Sequence, residues 1–186
     1  MPRSVHTARL FLDGPPVCTL HGGEWRLGDF SSNAEFISEV VAAYGAAGHA
    51  VIKREGLPPI CLDKRAVKNS RGHNRAPIRI AAFAALPDVL RRGCILHIAP
   101  MLGGPVGAFV MYVAAPVVIA GVEGIVVAQV KSDANGARLY THQIYEKQNS
   151  GEPPYYPALN PAGRLGSPLV RGLRPELLVE LYRVKC

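Results

Sequence analysis

Sixteen residues, from Lys64 to Arg79, carry six basic side chains (Lys64, Arg65, Lys68, Arg71, Arg75, Arg79), one histidine (His73) and no acid. Directly after them Ile80, Phe83, Ala84, Leu86 and Leu90 follow one another at helical spacing. The segment that gathers positive charge is thereby pinned to a core, so its cations can orient an anion as well as attract one. Charge runs are normally solvated helix faces, but this one lacks the interleaved acids that supply salt-bridge partners on such a face.

The charge of the chain is concentrated there. Between Asp63 and Gly93 eight bases face two acids, Asp63 and Asp88, a balance of +6 within a formal net charge of +7 for all 186 residues. A pI near 9.5 favours an anionic partner, nucleic acid foremost. Hydrophobic residues make up 48% of the chain, enough for one core of ordinary size. Cys18, Cys61, Cys94 and Cys186 are widely spaced and form no Cys/His cluster, so neither a zinc site nor any other metal or cofactor is expected. MPRSVHTARLFLDGPP has no long apolar h-region of a secretory signal. The apolar run from Gly107 to Val122 is shorter than the ~20 residues of a membrane-spanning helix and contains Pro116, so it is expected to form buried strands and no membrane contact.

Three regions are expected: 1–33 as a hairpin or linker, 34–149 as the main domain, and 150–186 as a Pro/Gly-rich extension ending in a short helix. In the first, Ala8 to Leu12 and Val17 to Leu20 are expected to be extended. In the second, Ser32-Asn33-Ala34-Glu35 has the form of a capping box opening a helix whose buried face is Phe36, Ile37, Val40, Val41 and Tyr44. Asp63 caps a second helix, and Pro77 opens a third that Pro87 interrupts. Strands follow at 94–99, 108–119, 124–131 and 137–147, the last two joined at Asn135-Gly136. The predicted fold class is α+β, two or three helices packed on a four- to five-stranded antiparallel sheet.

Metal-free cleavage of RNA needs a base for the 2′-hydroxyl proton, an acid for the leaving oxygen, and cations for the phosphorane. His73 with Lys68, Ser70, Arg75 and Arg79 forms one half of such a set. His142, with Tyr140 and Arg138 on what simple alternation makes one face of the last strand, forms the other. His97, inside an apolar strand, is expected to be structural. Motifs for nucleotide-binding loops, zinc proteases, serine hydrolases and dinucleotide folds are absent.

Ser70 to Leu90 (SRGHNRAPIRIAAFAALPDVL), Val113 to Gly121 (VAAPVVIAG) and Ala137 to Gln148 (ARLYTHQIYEKQ) resemble the C-terminal toxin-like domains of phage minor head proteins and related polymorphic toxins. These are grouped with the barnase/EndoU/colicin/RelE-like ribonucleases, and the likeness spans roughly residues 45–148. It implies that Ser70 and His73 match a Ser-x-x-His element, Arg79 stands where lysine is usual, and His142 matches the histidine after the tyrosine of the last strand. Before Ala-Ala-Pro the family carries an Arg-Gly-x-Asp-like group, whereas Val106-Gly107-Ala108-Phe109 stands here.

The expectation is thus an endoribonuclease toxin domain. His73 and His142 would be the acid/base pair, Arg79 and Tyr140 would assist, and Lys68, Ser70, Arg75 and Arg138 would bind substrate. The resemblance implies tRNA, rRNA or mRNA as target, an acidic immunity protein as partner, and action in the cytoplasm of a target cell after delivery within a larger secreted or phage-encoded protein. Two alternatives stand beside it: a non-catalytic nucleic-acid- or protein-binding module of the same fold, and an ADP-ribosyltransferase, for which no closely spaced Glu-x-Glu pair follows a strand.

Overall fold

The computed structural model describes residues 5–72, 76–101, 103–133 and 136–147. The extension from 150 onward lies outside them. Four helices, α2 (Asn33–Ala46), α3 (Lys64–Gly72), α4 (Pro77–Ala81) and α5 (Leu86–Arg92), pack on one face of a curled sheet. Helix α1 (Val5–Asp13) packs on the other.

Local chemistry sets the helix ends. Ser32 Oγ accepts from the Glu35 amide at 3.1 Å, while the Glu35 carboxylate reaches one residue beyond the cap, to the Ser31 amide at 2.7 Å and the Ser31 hydroxyl. Asp63 caps α3 by accepting from the Ala66 amide at 2.8 Å. Between α4 and α5 the chain tightens into a 3₁₀ turn, Ala82–Ala85. Pro87 has no N–H for the carbonyl of Phe83 four residues earlier. That carbonyl instead accepts from the Leu86 amide and, at 2.6 Å, from the buried hydroxyl of Tyr44, which ties α2 to the turn. Burial holds the Tyr44 phenol well above its usual pKa.

The sheet runs β1 (Cys18–Leu20), β5 (Phe109–Ile119), β6 (Val122–Asp133), β7 (Gly136–Glu146), β3 (Ile60–Cys61), β2 (Val51–Ile52), with β4 (Cys94–Pro100) also on β5. β4 pairs with β5 up to Ala114, and β1 takes over from Val117. Pro116, which cannot donate to a ladder, sits at this handover, where a proline is tolerable in an interior strand. The main core lies between helices and sheet and includes Phe36, Phe83, Leu86, Val113, Val130 and Leu139. Each such fully buried side chain stabilises the fold by about 1.5–3 kcal/mol.

The α+β class holds, but the sheet is mixed. β1 runs parallel to β5 and β3 parallel to β7, so the expectation of an antiparallel sheet of four or five strands is corrected to seven strands of both senses among the described residues. Among the described residues of the first region, α1 and β1 pack into the fold. Ala8 to Leu12 is helical because Ala8 and Leu12, four apart, enter a second core with Cys94, Leu96, Ala114, Ile125, Val127 and Tyr145. In a run this short, alternation and helical spacing cannot be told apart. Trp25 and Phe30 meet Phe36 edge-on at the margin of the main core.

Candidate functional site

On the helical side of the sheet, His142 joins three elements. Its ring lies 2.6 Å from Ser70 Oγ of α3 and 2.7 Å from the Arg79 carbonyl of α4, and its centroid is 4.6 Å from that of Phe83. A carbonyl only accepts, so Nε2 carries the proton and donates to Arg79, and Nδ1 accepts from the Ser70 hydroxyl. Ser70 and His142 are both 0% exposed. Burial pushes the imidazole pKa down to about 4, against the small upward pull of the Arg79 carbonyl bond. With both nitrogens engaged and no surface, this pair is a neutral lock between strand and helices.

Simple alternation fails along β7 because of a bulge. Thr141 pairs with Gln129 and Leu139 with Val130, which leaves Tyr140 as the extra residue. Leu139, His142 and Ile144 therefore share the helical face, while Arg138 and Thr141 lie on the opposite, outer face. The expectation that His142, Tyr140 and Arg138 share a face is corrected on this ground. β4 carries a second bulge, between Ile95 and His97, opposite Val113 and Tyr112. Since Tyr112 pairs with Gln129, both bulges fall in one cross-strand row: His97, Tyr112, Gln129, Thr141.

That row lies on the outer face, at the border of the core that α1 covers, against which Tyr112 packs. Its side chains are all partly exposed. Gln129 Nε2 donates to the Tyr112 hydroxyl at 2.9 Å. In the next row Lys131 pairs with Arg138, and Lys131 Nζ sits 3.4 Å from the centroid of the Tyr140 ring, a cation held by a π face. Arg138 Nε donates to Asp63 Oδ2 at 2.9 Å. Partial burial opposes the Asp63 charge, but the Ala66 amide and Arg138 outweigh it and keep the carboxyl below its usual pKa. The Nε2 atom of His97 is sealed from solvent and has no hydrogen-bond partner among the described residues. An orphaned polar atom of this kind costs roughly 1–3 kcal/mol.

The expected residues therefore separate. His73 and Arg75 lie outside the described residues. Ser70 and His142 meet, but in the interior; Arg79 is half-buried and gives its carbonyl to the lock. Lys68 is exposed on α3. Arg138 and Tyr140 lie beside Lys131 and share the outer face with Thr141, Gln129, Tyr112 and, three strands away on β4, His97, none of which stands out in the sequence. Their signal was the pairing register, which only the two bulges reveal. No group of three His, Cys, Asp or Glu that could hold a metal occurs among the described residues. Cys18 and Cys61 are free thiols, and burial pushes the pKa of Cys18 up to about 11. No helix among the described residues is long and apolar enough to cross a membrane.

No family model, curated protein or solved structure matches the chain.

Proposed function

We propose that this chain is an RNA-cleaving effector domain acting by metal-independent transesterification, with its site on the outer face of the sheet. The observation that carries this reading is the coincidence of two bulges in one row, which puts an imidazole, two phenols, a hydroxyl and an amide on the same face of the sheet as Lys131 and Arg138. His97 is the group for proton transfer, Lys131 and Arg138 take the phosphate, and Tyr140 and Tyr112 donate to its oxygens. Lys131 lies opposite Val110, so it supplies charge next to the stretch where Val106 to Phe109 lack the polar group of the toxin-like pattern. The Ser70–His142 pair acts behind the site, fixing α3 and α4 to β7.

Purified protein mixed with RNA in excess chelator should leave 2′,3′-cyclic phosphate ends. Activity lost in chelator and restored by magnesium would overturn the mechanism. A second reading, a docking module of the same fold, is favoured by one fact: His142, the expected partner in proton transfer, is sealed in the interior. RNA binding without cleavage by folded protein would decide for it.

A further inference from the structure

Helix α3 displays Lys64, Arg65 and Lys68 to solvent, while Ala66, Val67 and Ser70 bury its other side. Lys64 and Lys68 are one turn apart, about 6 Å along the axis. The helix itself contains no acid. Asp63, immediately before it, is engaged twice, through Oδ1 to the Ala66 amide and through Oδ2 to Arg138 of the outer face. One carboxylate thus clasps the start of α3 to the margin of the outer-face group, next to the pairing of Cys61 with Arg138. The exposed cations of α3 therefore start one residue after the carboxylate that holds Arg138.

We propose that α3 is an exosite for the phosphate backbone of RNA longer than the segment held on the outer face, so that the preferred substrates are long or folded RNAs rather than short oligonucleotides. This rests on RNA being the ligand of the outer face, but not on its being cut. Phosphate contacts away from the reacting bond add affinity without reading bases, and they act over a Debye length of about 8 Å in physiological salt.

The test compares a tRNA-sized RNA with a trinucleotide for wild type and Lys64→Gln/Arg65→Gln, with circular dichroism confirming the fold of both. For the long RNA, affinity should fall about tenfold in low salt, and the log–log salt slope should flatten by about 1.4, two contacts at about 0.7 each. For the trinucleotide, binding and any cleavage should stay within twofold. An unchanged slope on the long RNA, or an equal loss on both ligands, would overturn the exosite. Absence of cleavage by wild type, with the long-RNA slope still changing as expected, would overturn only the cleavage reading. Failure of wild type to bind long RNA at any salt would overturn both.

Discussion

The two faces of the sheet hold the same kinds of side chain under opposite conditions. On the helical face a histidine, a serine and an arginine carbonyl satisfy one another completely, and burial drives the imidazole to its neutral form. On the outer face a histidine, tyrosines and cations stay partly exposed, and one histidine nitrogen remains without a partner among the described residues. A polar network closed on itself contributes rigidity, whereas a buried polar atom without a partner costs stability. Similar residues therefore imply different tasks, and mutation should separate them.

The largest effect is expected at His97. His97→Ala should lower RNA cleavage by ~10²–10⁴-fold while leaving the thermal midpoint close to wild type, because it deletes a proton-transfer group and an unsatisfied atom together. His142→Ala should do the reverse. It strands the Ser70 hydroxyl and the Arg79 carbonyl and opens a cavity beside Phe83, at a cost of roughly 3 kcal/mol in denaturant unfolding, with cleavage per folded molecule within a few-fold. A His142→Ala protein of full stability and no activity would invert the assignment of the two faces.

The contrast extends to pH. His142 has a folded pKa of about 4 against 6.5 for an ordinary histidine, so between those values the unfolded chain binds a proton that the folded chain refuses. Its stabilising contribution is complete above pH 6.5, declines as pH falls, and is gone near pH 4, a loss of roughly 3 kcal/mol. Unfolding free energies measured from pH 7 to 4 should show this decline in wild type and a flatter profile in His142→Asn. The depressed carboxyls of Asp63, Glu35 and Glu24 begin to lose their contributions only at the acid end of this window, in the carboxylate range. Equal slopes for both proteins would remove His142 as the cause.

How much of this was legible in the sequence follows from the range of the interactions. Capping chemistry and helical spacing are local, so α2, α3, the proline-opened α4 and the break at Pro87 were predictable from a few residues each, and the four long strands likewise. The pieces that pair far along the chain were not. β1 was expected to be extended, but not its pairing with β5 across about a hundred residues, and β3 is two residues long, with no pattern of its own. The site was half legible for the same reason. Tyr140 and Arg138 were selected by type, but one extra residue in β7 moved His142 to the other face, and a matching bulge in β4 brought His97 into the row. A bulge changes parity without leaving a sequence mark as clear as Asn135-Gly136 leaves for the hairpin.

At the cationic end of the outer face a smaller effect is expected. Lys131→Gln should weaken RNA binding by a few-fold in low salt and reduce the salt slope by about 0.7, since it removes one phosphate contact. Stability should change little, because a cation resting on a partly exposed aromatic ring contributes only about 0.5–1 kcal/mol. A loss of binding that does not depend on salt would instead assign Lys131 the task of holding Tyr140 in place.

The smallest effect, and the most discriminating, concerns Asp63, which touches both regions. Asparagine still accepts from the Ala66 amide, so Asp63→Asn keeps the cap of α3 and breaks only the charge pair with Arg138. The two side chains are 42% and 18% exposed, respectively, so that pair should contribute less than about 1 kcal/mol, whereas Asp63→Ala should lose about 1 kcal/mol more with the cap. RNA binding should move the other way. Asp63→Asn removes a negative charge from the strip joining α3 to the outer face and releases Arg138 to phosphate, so affinity should rise by a few-fold in low salt and return to wild type as salt screens the change. Filter binding at two ionic strengths is sufficient to measure it. If affinity falls while the fold is intact, the carboxylate aims Arg138 at the phosphate, and the outer face is preorganised from the helical side.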